Sequence, residues 1–234
     1  TGIQEIEAGA FVSPKAIPQM AYSEEVFRRI QRKKGVVYSA LAPNEQGLAR
    51  ALSVKVDKIA IFTAASDTFN KKNINATIEE SLERFKPVVR QARASKLAIR
   101  GYVSTAFHCP YEGPMAPKKV LSVMLGLLDL GVHEISIGDT IGKASPNEVR
   151  RLLDLALKKI PIKKIYLHFH DTYGMAIANA LVAWQEYKIT GFDASAGGLG
   201  GCPYAPGAAG NVATEDLIFA LKAAGGSISC EPEK

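Results

Sequence analysis

Seven short runs of aliphatic and β-branched residues, separated by longer stretches with charged faces, set the strongest constraint on how this chain can fold. The runs are Ile3 to Glu7, Val36 to Leu41, Lys58 to Phe62, Ala98 to Ser104, Glu134 to Ile137, Lys164 to His168 and Phe192 to Ala196. Between them, helical periodicity marks Ile78 to Ala94, Pro117 to Leu130, Pro146 to Lys159, Ala176 to Tyr187 and Thr214 to Ala224. Alternating strand and helix implies parallel strands joined by right-handed crossovers, in an open doubly wound sheet or a closed barrel.

Two features favour the barrel. No Gly-x-Gly-x-x-Gly turn follows an early strand, as a dinucleotide-binding open sheet would have. Polar residues instead follow almost every run: Glu7, Asn44, Ser66-Asp67, Ser104, Asp139, His168 with His170, and the segment from Gly197 to Asn211. In a (β/α) barrel these strand ends surround one site. The fold expected is therefore an α/β barrel of the (β/α)8 TIM type, with about seven strands present because the first βα unit is absent. Residues 1-234 read as a single catalytic barrel domain that is incomplete at its N-terminus.

Composition narrows the function classes. A 234-residue chain that is 47% hydrophobic can bury a large core, and no uninterrupted apolar run is long enough to span a bilayer. Cys109, Cys202 and Cys230 are widely spaced and form no Cys-x-x-Cys pair, which argues against a disulfide framework or zinc knuckle and for a reducing, cytoplasm-like compartment. The net charge of +6 is spread over small clusters without interleaved aromatics, so neither a nucleic acid nor a membrane is expected as partner. A mildly positive field suits an acidic substrate such as an acyl-CoA.

Two segments carry chemistry. In His168-Phe169-His170-Asp171, imidazoles two residues apart on a strand point the same way and can meet one metal ion; a pair of hydrogen-bonding residues at a barrel rim is the alternative. The segment Gly197-Gly198-Leu199-Gly200-Gly201-Cys202-Pro203-Tyr204, running on to Gly210-Asn211, reads as a mobile catalytic loop with one thiol, or equally as a long structural turn around an inert cysteine. His133 is expected to be structural, Lys15 solvated, Ser66-Asp67 a helix cap, and Cys109 a packing residue.

The order Phe11-Val12-Ser13-Pro14-Lys15, Lys72-Asn73-Ile74-Asn75, Gly101-Tyr102-Val103-Ser104, Cys109-Pro110-Tyr111-Glu112-Gly113, Gly138-Asp139-Thr140-Ile141-Gly142, His168-Phe169-His170-Asp171-Thr172-Tyr173-Gly174 and Gly200-Gly201-Cys202-Pro203-Tyr204 resembles the 3-hydroxy-3-methylglutaryl-CoA lyases across nearly the whole chain. The resemblance implies a metal-dependent TIM-barrel enzyme that cleaves 3-hydroxy-3-methylglutaryl-CoA to acetoacetate and acetyl-CoA, as in leucine degradation. It implies His168, His170 and Asn211 as ligands of Mg²⁺ or Mn²⁺, and Glu7 and Asp139 close to metal and substrate. Asp139 or His168 would take part in deprotonation, and Cys202 would handle a proton from the loop. It further implies a homodimer, located in bacterial cytoplasm or the mitochondrial matrix.

The family's opening strand ends in Arg-Asp-Gly, which this sequence does not contain; the resemblance implies weaker metal binding and slower chemistry without it. A Claisen-type synthase of the same superfamily fits less well, because such enzymes generally lack the Gly-Gly-Cys-Pro-Tyr loop. A non-catalytic barrel remnant that binds acyl-CoA or metal is the alternative of a different class.

Overall fold

A computed structural model describes residues 2–15, 17–201 and 210–231. Its strands are β1 (Glu5–Ala10), β2 (Val37–Leu41), β3 (Lys58–Ala64), β4 (Ala98–Ser104), β5 (His108–Cys109), β6 (Gly113–Pro114), β7 (Glu134–Asp139), β8 (Ile165–Phe169) and β9 (Gly191–Asp193). The helices are α1 (Ser23–Arg29), α2 (Glu45–Ser53), α3 (Asp67–Ile74), α4 (Ile78–Ala94), α5 (Pro117–Leu130), α6 (Pro146–Ala156), α7 (Ala176–Tyr187) and α8 (Thr214–Ala223). Among the described residues no helix is long and apolar enough to cross a membrane.

Seven strands form one parallel sheet in the order β1-β2-β3-β4-β7-β8-β9. Spatial order equals chain order, so the sheet has no switch point at which crossovers change sides, and the topology is that of a barrel rather than a doubly wound sheet. The hairpin β5–β6 is a separate antiparallel pair after β4.

Strand register separates the two faces. One face carries Ile59, Ile61, Ile99, Val103, Ile135, Ile137, Ile165 and Leu167, all buried in one continuous core. The helices supply the rest of that core, including Val88 of α4, Met124 and Leu127 of α5, and Leu152 of α6. At ~25 cal/mol per Å² of apolar surface removed from water, this contact is the main force holding helix to sheet. The other face carries Glu5 and Glu7, Lys58, Arg100 and Tyr102, Glu134 and Ser136, Tyr166 and His168, and Asp193.

That polar face curls inward on itself. Arg100 on β4 donates from Nε to Glu134 Oε1 at 2.7 Å and from Nη1 to Asp193 Oδ1 at 2.8 Å, and its Nη2 lies 3.4 Å from Glu5. Lys58 Nζ donates to Glu5 at 2.6 Å and to Glu134 at 2.8 Å. The Arg100 guanidinium sits 4.2 Å from the Tyr166 ring centroid. β1 and β9, at opposite ends of the sheet, thus share one guanidinium, and the barrel floor is a web of charges where branched hydrocarbon would be usual.

Local signals place the helices. Thr77 and Glu80 form a capping box at the start of α4, and the side chains of Asn44 and Ser66 cap α2 and α3. Helices α1, α2 and α3 lie outside the five read from sequence; at 7 to 9 residues they offer little periodicity to detect. β9 is shorter than the expected run to Ala196, because pairing with β8 ends at Asp193 and Ser195 instead bridges to Ala213.

Candidate active site

Alternation along β8 turns Ile165, Leu167 and Phe169 toward the helices and His168 toward the interior, and His170 follows the same side one step beyond the strand. The two imidazole centroids are 5.3 Å apart. Burial, and then the neighbouring His168, push His170 down to about 4, so at neutral pH it is an uncharged ring with a lone pair to offer.

Asn211 reaches the pair from a distant part of the chain. It forms an antiparallel bridge with His170, flanked by Asp171 N–H donating to Gly210 O and Val212 N–H donating to Phe169 O. The crossing is tight: a Cβ on Gly210 would stand 2.0 Å from the carbonyl oxygen of Gly198. Asn211 Nδ2 donates to Leu199 O at 2.9 Å, which fixes the amide and leaves Oδ1 free. Asn211 Oδ1, His170 Nδ1 and His168 Nδ1 are buried atoms without a hydrogen-bond partner among the described residues. Buried polar atoms are rarely left so, and two imidazoles plus an amide oxygen form a donor set suited to a divalent cation. These residues fit such an ion. Among the described residues no group of three His, Cys, Asp or Glu side chains is placed to hold a metal.

Around the pair, Tyr102 OH donates to Glu7 Oε2 at 2.8 Å and its ring meets His168 edge-on at 6.2 Å. Glu7 is reached by solvent at the barrel mouth but walled by protein; this desolvation raises its pKa, against the opposing hydrogen bond from Tyr102. Asp139 falls on the helix-facing side of β7, with no measurable exposure. Its two oxygens accept the backbone N–H groups of Lys143 at 3.1 Å and Ala144 at 2.9 Å, folding the loop into α6. Burial nevertheless lifts it to about 6.

Of the other residues named from sequence, Cys202 lies outside the described residues. Ser66 Oγ accepts from Phe69 N–H as a helix cap, and Asp67 accepts from Ile78 N–H. Lys15 is exposed, His133 Nδ1 accepts from Ile99 N–H, and Cys109 is buried 3.1 Å from Ser66 Oγ. Sequence reasoning missed Arg100, Tyr102 and Asp193 as members of the site. Their signal was present as charged or polar residues at the interior phase of otherwise apolar strands.

On the same rim a cavity of about 560 Å³ opens between the ends of β1 to β3 and the α3–α4 segment, lined by Val12, Pro43, Asn44, Phe62, Asn73 and Arg84 among others. Residues 1–232 match the family described as HMGL-like. The chain belongs to the HMGL-like family. Hydroxymethylglutaryl-CoA lyase of Pseudomonas mevalonii is 49% identical over 233 residues, spanning all of this chain and 77% of that protein. The crystal structure of HMG-CoA lyase from Brucella melitensis superposes with a TM-score of 0.94 at 48% identity, covering 98% of this chain and 81% of that one. An HMG-CoA lyase from Acinetobacter baumannii, in complex with coenzyme A and 3-methylmalate, superposes with a TM-score of 0.92 at 40% identity, covering 98% and 75%. This HMGL-like chain is thus a carbon–carbon lyase of a divalent-metal-dependent family.

Proposed function

We propose that the protein cleaves 3-hydroxy-3-methylglutaryl-CoA to acetoacetate and acetyl-CoA, with Mg²⁺ or Mn²⁺ held by His168, His170 and Asn211. The observation that carries this reading is the meeting of two inward-facing imidazoles, His168 and His170, with a bridged Asn211 whose buried Oδ1, like His170 Nδ1, has no partner among the described residues, in a chain of the HMGL-like family. The cation supplies Lewis-acid stabilisation for negative charge on substrate oxygens.

The chain's own residues do the rest. Glu7 stands on the interior face beside Tyr102 and His168, and desolvation raises its pKa, which favours its taking up a proton; Asp139 spends both oxygens on the loop into α6. Glu7 takes the tertiary hydroxyl proton, the bond between the carbinol carbon and the thioester α-carbon breaks, and acetoacetate departs. Cys202 then delivers a proton to the α-carbon of the remaining enolate, giving acetyl-CoA. Tyr102 holds Glu7 by its hydrogen bond, and the rim cavity takes the thioester's apolar arm, with Arg84 and Asn73 beside it for polar groups.

The test is acetoacetate release from 3-hydroxy-3-methylglutaryl-CoA by the protein with Mg²⁺ or Mn²⁺. Activity that is abolished by His170→Ala and by Cys202→Ala supports the assignment. A folded, Mn²⁺-binding protein that releases no acetoacetate would overturn it.

A further inference from the structure

Asp193 neighbours His168 directly across the β8–β9 ladder, and its Oδ2 lies 3.6 Å from His168 Nδ1. The carboxylate does not depend on the imidazole for its place. Its Oδ1 accepts from Arg100 Nη1 at 2.8 Å and its Oδ2 accepts from Ser136 Oγ at 2.6 Å. Arg100 is itself pinned by Glu134 and stacked on Tyr166. Side chains from β4 and β7 therefore hold a carboxylate of β9 against an imidazole of β8, before any ligand arrives.

An imidazole that binds a cation through one nitrogen needs a proton on the other, and a carboxylate facing that second nitrogen selects the tautomer and fixes the ring. Oδ2 has a lone pair beyond the one that Ser136 uses, and the 3.6 Å gap exceeds an N–H···O bond by roughly 0.6 Å, which a small tilt of the ring closes. His170 differs. Neither ring's Nδ1 makes a hydrogen bond among the described residues, but of the two only that of His168 has a carboxylate within 4 Å there.

We propose that Asp193 is a positioning residue that holds His168 as the Nδ1–H tautomer, so that Nε2 is presented to the cation, making His168 the anchored ligand of the pair. The inference rests on the metal-lyase reading, but it concerns a carboxylate outside the ligand set and makes a prediction for the metal-free protein. A purely structural alternative would have Asp193 serve only as Arg100's counter-ion in the barrel floor.

Long-range ¹H–¹⁵N correlation spectra of histidine-labelled protein read the tautomer, and Mn²⁺ titration followed by electron paramagnetic resonance reads affinity. The expected result is an Nδ1–H ring for His168 without metal, loss of that preference in Asp193→Asn, and roughly 10–100-fold weaker Mn²⁺ binding in the variant. Glu134→Gln neutralises another carboxylate of the same floor without touching His168. It should lower thermal stability while leaving the tautomer unchanged and Mn²⁺ affinity within about threefold.

An Nε2–H ring in the wild type overturns the proposal, even if no variant folds. So does an Asp193→Asn protein that keeps both tautomer and affinity, or a Glu134→Gln protein that shifts both equally. A wild type with the Nδ1–H ring that binds no Mn²⁺ refutes the metal-lyase reading, and with it the ligand role of His168; the tautomer comparison refutes Asp193's part separately.

Discussion

Replacing Arg100 with methionine is the sharpest probe of the barrel floor, because it keeps most of the side chain's volume and removes the charge together with its hydrogen bonds to Glu134, Asp193 and Glu5. The floor sets three carboxylates, Glu5, Glu134 and Asp193, against two cations, Lys58 and Arg100. Without Arg100, Glu5 and Glu134 share the Lys58 ammonium, and Asp193 keeps Ser136 Oγ and, at 3.6 Å, His168 Nδ1. The guanidinium side chain is 7% exposed, and its partners Glu134 and Asp193 are 14% and 16% exposed. Removing one partner from a buried charge cluster costs ~3–5 kcal/mol. Glu5 is 25% exposed, and solvent screening there favours the lower end, about 3 kcal/mol. For a chain of this length that is a fall of roughly 6–12 °C in Tm, read by calorimetry and urea unfolding.

The same variant has a pH signature. Burial acts to raise the pKa of Glu134, but Lys58 and Arg100 outweigh it and hold the carboxyl below its ordinary range. A depressed folded-state pKa gives stability that is complete above the unfolded value, about 4.3, and is lost as pH falls through the folded one. Arg100→Met shrinks that depression, so the variant has less to lose on acidification and its deficit narrows below about pH 4.5. Adding Glu134→Gln should recover part of the loss, about 1–2 kcal/mol, by relieving the surplus negative charge. A cost under about 1 kcal/mol at pH 7, or a deficit unchanged between about pH 7 and pH 4, would refute the account of the floor as a coupled charge web.

Asp139 should titrate with a ¹³C carboxyl midpoint near 6. Because its folded pKa is raised, its stabilising contribution is complete below about 3.9 and drains by an order of 2–3 kcal/mol as pH rises to neutrality; a midpoint in the ordinary carboxylate range would remove that expectation. Gly191→Ala puts a Cβ 2.6 Å from Tyr166 Cδ1, under the ring stacked on Arg100. Overpacking there should cost ~1–3 kcal/mol in urea unfolding. Thr77→Ala removes the α4 capping box and should cost about 1 kcal/mol by the same assay, with no change in the Mn²⁺ titration.

The seven sheet strands were legible because their helix-facing sides are apolar, mostly Ile, Val and Leu in β3, β4, β7 and β8, with Ile6, Tyr38, Ala40 and Phe192 in the others, a pattern that local sequence carries by itself. Helices α4 to α8 were legible for a related reason, since each of 10 to 17 residues repeats its apolar stripe several times. The two-residue strands β5 and β6 carry no such pattern. His168 and His170 could be paired from their two-residue spacing. Asn211 could not, because its approach depends on a bridge between segments 41 residues apart in sequence, and only family resemblance supplied it. Arg100 and Asp193 stand 93 residues apart, so each was visible as a charge within a strand and neither revealed its partner. Asp139 was expected beside the substrate; the fold commits both its oxygens to its own loop, a contact no residue pattern announces.

Interior ion clusters are attractive targets for thermostabilisation, since well-packed hydrocarbon of similar volume often outperforms them. This barrel closes that route in one place. Asp193 belongs to the floor and also faces His168, so a repacked, all-apolar floor would yield a hardier scaffold whose ligand ring had lost its brace. Libraries selected for heat resistance alone should drift toward such floors, and libraries selected for turnover should keep a carboxylate at position 193, even at the expense of melting temperature.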